Sequence, residues 1–82
     1  MLDQLLNSNQ DRIKWAAAQA QKFEAQYKNN ELSAAEYKEL LEDLKRDETI
    51  CKLGADLQDK ILLEQALNAL IAVAGEIGRA HV

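Results

Sequence analysis

The sequence predicts an all-α fold, a long–short–long chain of three helices that assembles with further copies into a helical bundle. Three observations lead there. A heptad seam runs unbroken from Leu2 to Tyr27, a capping box opens a helix at Ser33, and a broad apolar run fills residues 61–77. The chain has no proline and only three glycines to interrupt any of them.

The first helix is expected over residues 2–29. Leu2, Leu6, Asn9, Ile13, Ala16, Ala20, Phe23 and Tyr27 follow at spacings of 4, 3, 4, 3, 4, 3 and 4, which keeps them on one side of a helix. Small residues at Ala16 and Ala20 allow a neighbouring helix to approach closely. Asn7-Ser8-Asn9 offers a competing start, a cap for a helix beginning near residue 9. The continuity of the seam favours one long helix.

Lys28-Asn29-Asn30-Glu31 closes that helix, since Asn tolerates the left-handed backbone used at helix ends. Ser33 then stands three residues before Glu36, the spacing of a capping box. Leu32 and Tyr37 flank it as a hydrophobic staple. The helix expected over 33–47 places Tyr37, Leu40, Leu41 and Leu44 on one face and Glu36, Glu39, Glu42, Asp43 and Arg46 on the others. A short connection of this kind makes the two helices antiparallel neighbours.

Asp47 or Thr49 caps the next helix, expected over 49–79. Ile50, Leu53, Leu57 and Ile61 form its first stripe. Gly54 within it costs about 1 kcal/mol relative to alanine, so it marks a kink, a break or a close helix contact, and Asp56 would cap a restart. From Ile61 to Ile77 apolar residues leave only a narrow polar strip of Glu64, Gln65, Asn68, Glu76 and Arg79. A helix apolar on most sides must be covered on most sides.

Two helices of these lengths would each run about 42–45 Å, and the middle helix spans about half of that. One short helix cannot cover two long ones, so self-association, or a partner protein that contributes the missing helices, is expected. The seam assigned to it comprises Leu6, Ile13, Ala16, Ala20, Phe23 and Tyr27 on the first helix, with Leu67, Leu70 and Ile71 on the last. Asn9 and Asn68 are its polar interruptions, read either as register-setting buried residues or as solvent-exposed ones.

Eighty-two residues, 48% hydrophobic and 29% charged, fit a single helical domain over 1–82. One cysteine excludes an intramolecular disulfide. A lone histidine, His81, leaves no partner for a His-based metal site. Glu36 with Glu39, and Asp56 with Asp59, are carboxylate pairs without the Glu-x-x-His motifs of a helical di-metal site. Cys51, beside Ile50 and Leu53, reads as a small buried hydrophobe rather than a reactive thiol. No phosphate loop, nucleophile elbow or dinucleotide fingerprint is present. No cofactor and no enzymatic activity are expected.

The net charge of −4 is unevenly spread. Residues 1–30 sum to +1 (Arg12, Lys14, Lys22, Lys28 against Asp3, Asp11, Glu24). Residues 31–48 sum to −4, with three basic and seven acidic side chains. An acidic chain argues against nucleic acid, whose phosphates want clustered Lys and Arg. Neither a signal peptide nor a membrane span is legible, so a cytoplasmic setting is expected.

The expected function is a non-catalytic, self-associating module for protein–protein contact. Trp15, with Lys22, Arg12 and Lys14, is its candidate partner-binding group, because Trp and Arg are enriched at interface hot spots. The plain alternative packs Trp15 under its own chain. A second functional reading is a small acidic inhibitor, adaptor or chaperone-like protein, of the size of phage-borne regulators and secretion chaperones. A third is an oligomer holding a small anionic ligand at Arg12, Lys14 and Lys22.

Overall fold

The structure, a computed structural model, describes residues 2–54 and 56–80, with side chains through residue 75. The sequence expectations for the side chains of Glu76, Ile77 and Arg79, and for His81, fall outside the described residues. The fold is all-α. Five helices are described: α1 (Leu2–Leu5), α2 (Asp11–Lys28), α3 (Ala34–Lys45), α4 (Glu48–Cys51) and α5 (Gln58–Ala80). Each long helix expected from the sequence is therefore divided, the first at residues 6–10 and the last at residues 52–57.

The first break follows from the polar run at 7–9. A continuous helix would carry Asn9 into the apolar seam, where its amide would need a buried partner. Instead the chain turns, and Asn9 is exposed. The Ser8 hydroxyl accepts from the Gln10 amide at 3.1 Å and donates to Asp59 Oδ2 at 2.5 Å. The turn shifts the register of the core by one residue. Leu5 takes the buried position, 1% exposed, and Leu6 is only half-buried. A four-residue helix has no stability of its own, so Leu2 and Leu5 hold α1 by burial against α2 and α5.

From Ile13 the expected seam holds. Ile13, Ala16 and Ala20 are completely buried, joined by Ala17, while Phe23 and Tyr27 lie half-buried at the edge of the core. Asn30 ends the helix in the left-handed region with φ 63°. Its amide donates to Tyr27 O at 3.1 Å and that of Glu31 to Gln26 O at 2.8 Å, the paired bonds of a Schellman closure. The capping box is complete: Glu36 N donates to Ser33 Oγ and Ser33 N to Glu36 Oε1, each at 3.1 Å. Those bonds, the backbone one foremost, hold the Glu36 carboxyl below its ordinary range.

Closure of this turn brings Tyr27 onto Tyr37, with ring centroids 4.7 Å apart and planes 12° from parallel. Tyr37 is buried and its hydroxyl has no hydrogen-bond partner among the described residues. Burial foremost, then the charges of Glu24 and Tyr27, push its pKa up to about 12. Raised in this way, the phenol destabilises the fold only once the pH climbs past its unfolded value near 10.

The second break separates α4 from α5. Asp47 caps α4, its Oδ1 accepting from Thr49 N at 2.9 Å and Ile50 N at 3.3 Å. Lys60 Nζ then donates to the carbonyls of Cys51 and Leu53, at 3.4 Å each, where the helix ends. Nothing lies within 4 Å of a Cβ built on Gly54. The glycine therefore marks a break and not a close helix contact. Asp56 is exposed and two residues ahead of α5.

The two breaks remove the length mismatch that made self-association necessary on paper. α3 packs most extensively on α5 and next on α2, and α1 fills the space between α2 and α5. The result measures 40 × 20 × 19 Å around one cluster that includes Ile13, Ala16, Leu41, Ile50, Leu63 and Leu67.

Ser33→Ala should lower stability by about 1 kcal/mol through loss of the cap, read as a shift in urea midpoint; an unmoved midpoint would remove the capping box from the account. Tyr37→Phe deletes an orphaned buried hydroxyl. It should hold or raise stability by about 1 kcal/mol, and a thermal melt showing a clear loss would mean the hydroxyl has a partner.

Candidate interaction surfaces

The α2 outer face is built around an anchored tryptophan. Trp15 is 39% exposed, and the Arg12 guanidinium lies 3.9 Å from its ring centroid, a cation–π contact. The guanidinium is itself held: Arg12 Nη2 donates to Asp47 Oδ2 at 2.5 Å and Nε to Oδ1 at 3.4 Å. Asp47 thus caps α4 and grips α2 together, and the hydrogen bond from Arg12 is the main reason its carboxyl sits below its ordinary range.

Arg12 is thus engaged within the chain, with its side chain still 37% exposed. Trp15 and Lys22 share a face two turns apart, while Lys14 is turned about 100° from Trp15. Lys14 and Lys22 are exposed, and neither forms an ion pair among the described residues.

The seam assigned to self-association is likewise closed from within. Ile13, Ala16, Ala20 and Leu67 are completely buried by the chain's own helices, and Leu6, Phe23, Tyr27, Leu70 and Ile71 are half-buried against the same core. None of the four fully buried residues is accessible to a second copy. Asn9 and Asn68 are both exposed. Cys51, expected to be buried, is exposed, with its thiol 3.7 Å from the Lys45 carbonyl.

Two surfaces were not singled out by the sequence pattern. The first is the outer side of α5, where Ile61 is 41% and Val73 51% exposed, with Ala69 and Ala72 exposed between them. Its signal was present in the wide apolar arc of this helix, more than α3 and α2 can cover. The second is a groove of about 220 Å³ along α3, floored by Leu32 and Leu40 and walled by Glu36, Glu39 and Asp43. A cleft of similar size lies between α1, α2 and α5, lined by Leu2, Ala66, Leu70 and Glu24, and the Gln21 amide donates to Asp3 Oδ1 at 2.9 Å on its rim.

No three His, Cys, Asp or Glu side chains among the described residues are placed to hold a metal ion. No described helix is long and apolar enough to cross a membrane. Comparison with family models, curated proteins and solved structures finds no match for the chain.

Asp47→Asn should cost about 1–3 kcal/mol at neutral pH, through a weakened cap and the lost charge on Arg12. Because the native carboxyl is depressed, its contribution is present above its unfolded pKa, near 4, and is lost as the pH falls through the native value. Urea titrations should therefore show the gap between wild type and variant closing toward pH 3. A gap of constant size would mean that the carboxylate charge contributes nothing.

Proposed function

We propose that this chain is a non-catalytic helical module, a single domain whose work is protein–protein contact and which associates with copies of itself. The observation that carries this reading is the outer strip of α5. Ile61 and Val73, 41% and 51% exposed, stand with Ala69 and Ala72 on a helix whose opposite side already forms the core, interspersed with the exposed side chains of Glu64, Gln65 and Asn68. Large apolar side chains left in water favour burial in a contact. Ala69 and Ala72 permit close helix approach, in the manner of a coiled-coil seam. The oligomeric bundle expected from the sequence is thereby moved from the α2 seam to the far side of α5. An exposed thiol at Cys51 suits a reducing compartment and supports a cytoplasmic setting.

A second reading is an acidic adaptor or inhibitor that docks on one target protein. It is favoured by Trp15, whose indole is exposed on one side and braced by Arg12 on the other. A rigid, partly desolvated aromatic is what interface hot spots use.

Light scattering on a sizing column, across a wide concentration range, tests the first reading. Wild type should run above monomer mass, and Ile61→Lys with Val73→Lys should return it toward monomer. The change in fold stability should stay within about 0.5 kcal/mol per site, as both are surface positions. A monomer at every concentration would overturn self-association and leave the adaptor reading.

A further inference from the structure

Two exposed faces of this chain have complementary charge and the same helical step. Along α2 the outward residues Asp11, Trp15, Ala18 and Lys22 follow at spacings of 4, 3 and 4, all exposed. Along α3 the groove is bordered by Leu32, Glu36, Glu39 and Asp43, again at 4, 3 and 4. Such a step is how one helix lays a face along another. Lys14 and Lys22 border the α2 face and make no ion pair among the described residues, and Glu39 makes none among them either. Both faces point outward, so the chain cannot satisfy them against each other.

We infer that the outer face of α2, with Lys22 and Trp15, and the acidic groove of α3 are the two halves of one contact between copies of this chain. The inference rests on the self-association proposed above and adds to it a second, charged surface. An antiparallel arrangement brings the unpaired charges of the two faces together. With Ala18 set against Leu40, Lys22 falls beside Glu36 and Glu39. Lys14 falls near Asp43, which already pairs with Arg46 at 2.7 Å within α3, and Asp11 lies near that same pair. Trp15 then covers the apolar floor near Leu40. A parallel arrangement sets Asp11 against the Leu32 end of the groove, away from Arg46. Ala18 has no bulk to hold the helices apart, and antiparallel helix dipoles attract.

Because the two faces differ, the contact closes in a reciprocal pair or repeats from copy to copy. It is also screened by salt, in contrast to an apolar contact through α5.

The experiment uses solution mass and association constants for wild type, Lys22→Glu and Glu39→Lys, with circular dichroism to confirm the helices. Glu39 is chosen over Glu36 because Glu36 closes the cap. Each single reversal should weaken association about tenfold by setting like charges together. An equimolar mixture of the two variants should restore it, as the glutamate introduced on α2 of one chain meets the lysine introduced on α3 of the other. Wild-type association that neither reversal weakens would overturn this contact and leave self-association through α5 standing. Weakening without recovery in the mixture would show that these two faces do not meet. A monomeric wild type would overturn both proposals together.

Discussion

An apolar stripe longer than the helix that faces it leaves its ends in water, and the architecture of this chain is set by how it avoids that. Uninterrupted helices of about 28–30 residues would each reach about 42–45 Å, against a middle helix of twelve residues. The breaks at residues 6–10 and 52–57 fold the surplus back. α1 turns against α2 and α5, α4 supplies Ile50 to the core, and one cluster of apolar side chains is enclosed by a single chain.

Polar side chains hold these breaks in register with each other. Ser8, from the first break, bonds Asp59 at the start of α5, and Arg12, just after it, bonds the Asp47 that caps α4. Each bond spans more than thirty residues of sequence and joins segments that share little apolar contact. Asp47 serves a backbone cap and an ion pair with one carboxylate, so the start of α4 and the start of α2 cannot move independently. The same arrangement braces Trp15, since the guanidinium over its ring is itself fixed. A polar bracket at the core's edge thus determines what the outer face of α2 presents.

Satisfying the core internally leaves the remaining surface sorted by chemistry. The far side of α5 exposes Ile61 and Val73 among polar side chains, the groove of α3 is acidic, and the outer face of α2 carries Trp15 with Lys22 two turns along. Specificity in such surfaces comes from pairing of charge and helical step more than from area.

Local events were legible in the chain alone, because there the interacting residues are neighbours. The all-α class, the αL closure at Asn30, the reciprocal cap of Ser33 and Glu36, and the inward face of α2 from Ile13 to Ala20 all depend on residues within one or two turns. Whether each long periodic stretch stayed whole was a matter of tertiary contact. The heptad pattern through Leu6 and Asn9 was compatible with one helix. Only the presence of Asp59 to take the Ser8 hydroxyl, and of a core pocket for Leu5, made the break preferable. The fold also selected which stripe went to the core. Periodicity shows that a face is apolar, but it does not say whether its cover comes from the same chain. The α2 seam was covered from within and the outer strip of α5 was not, because enclosure depends on how far the other helices reach, a length set by breaks that distant contacts hold in place.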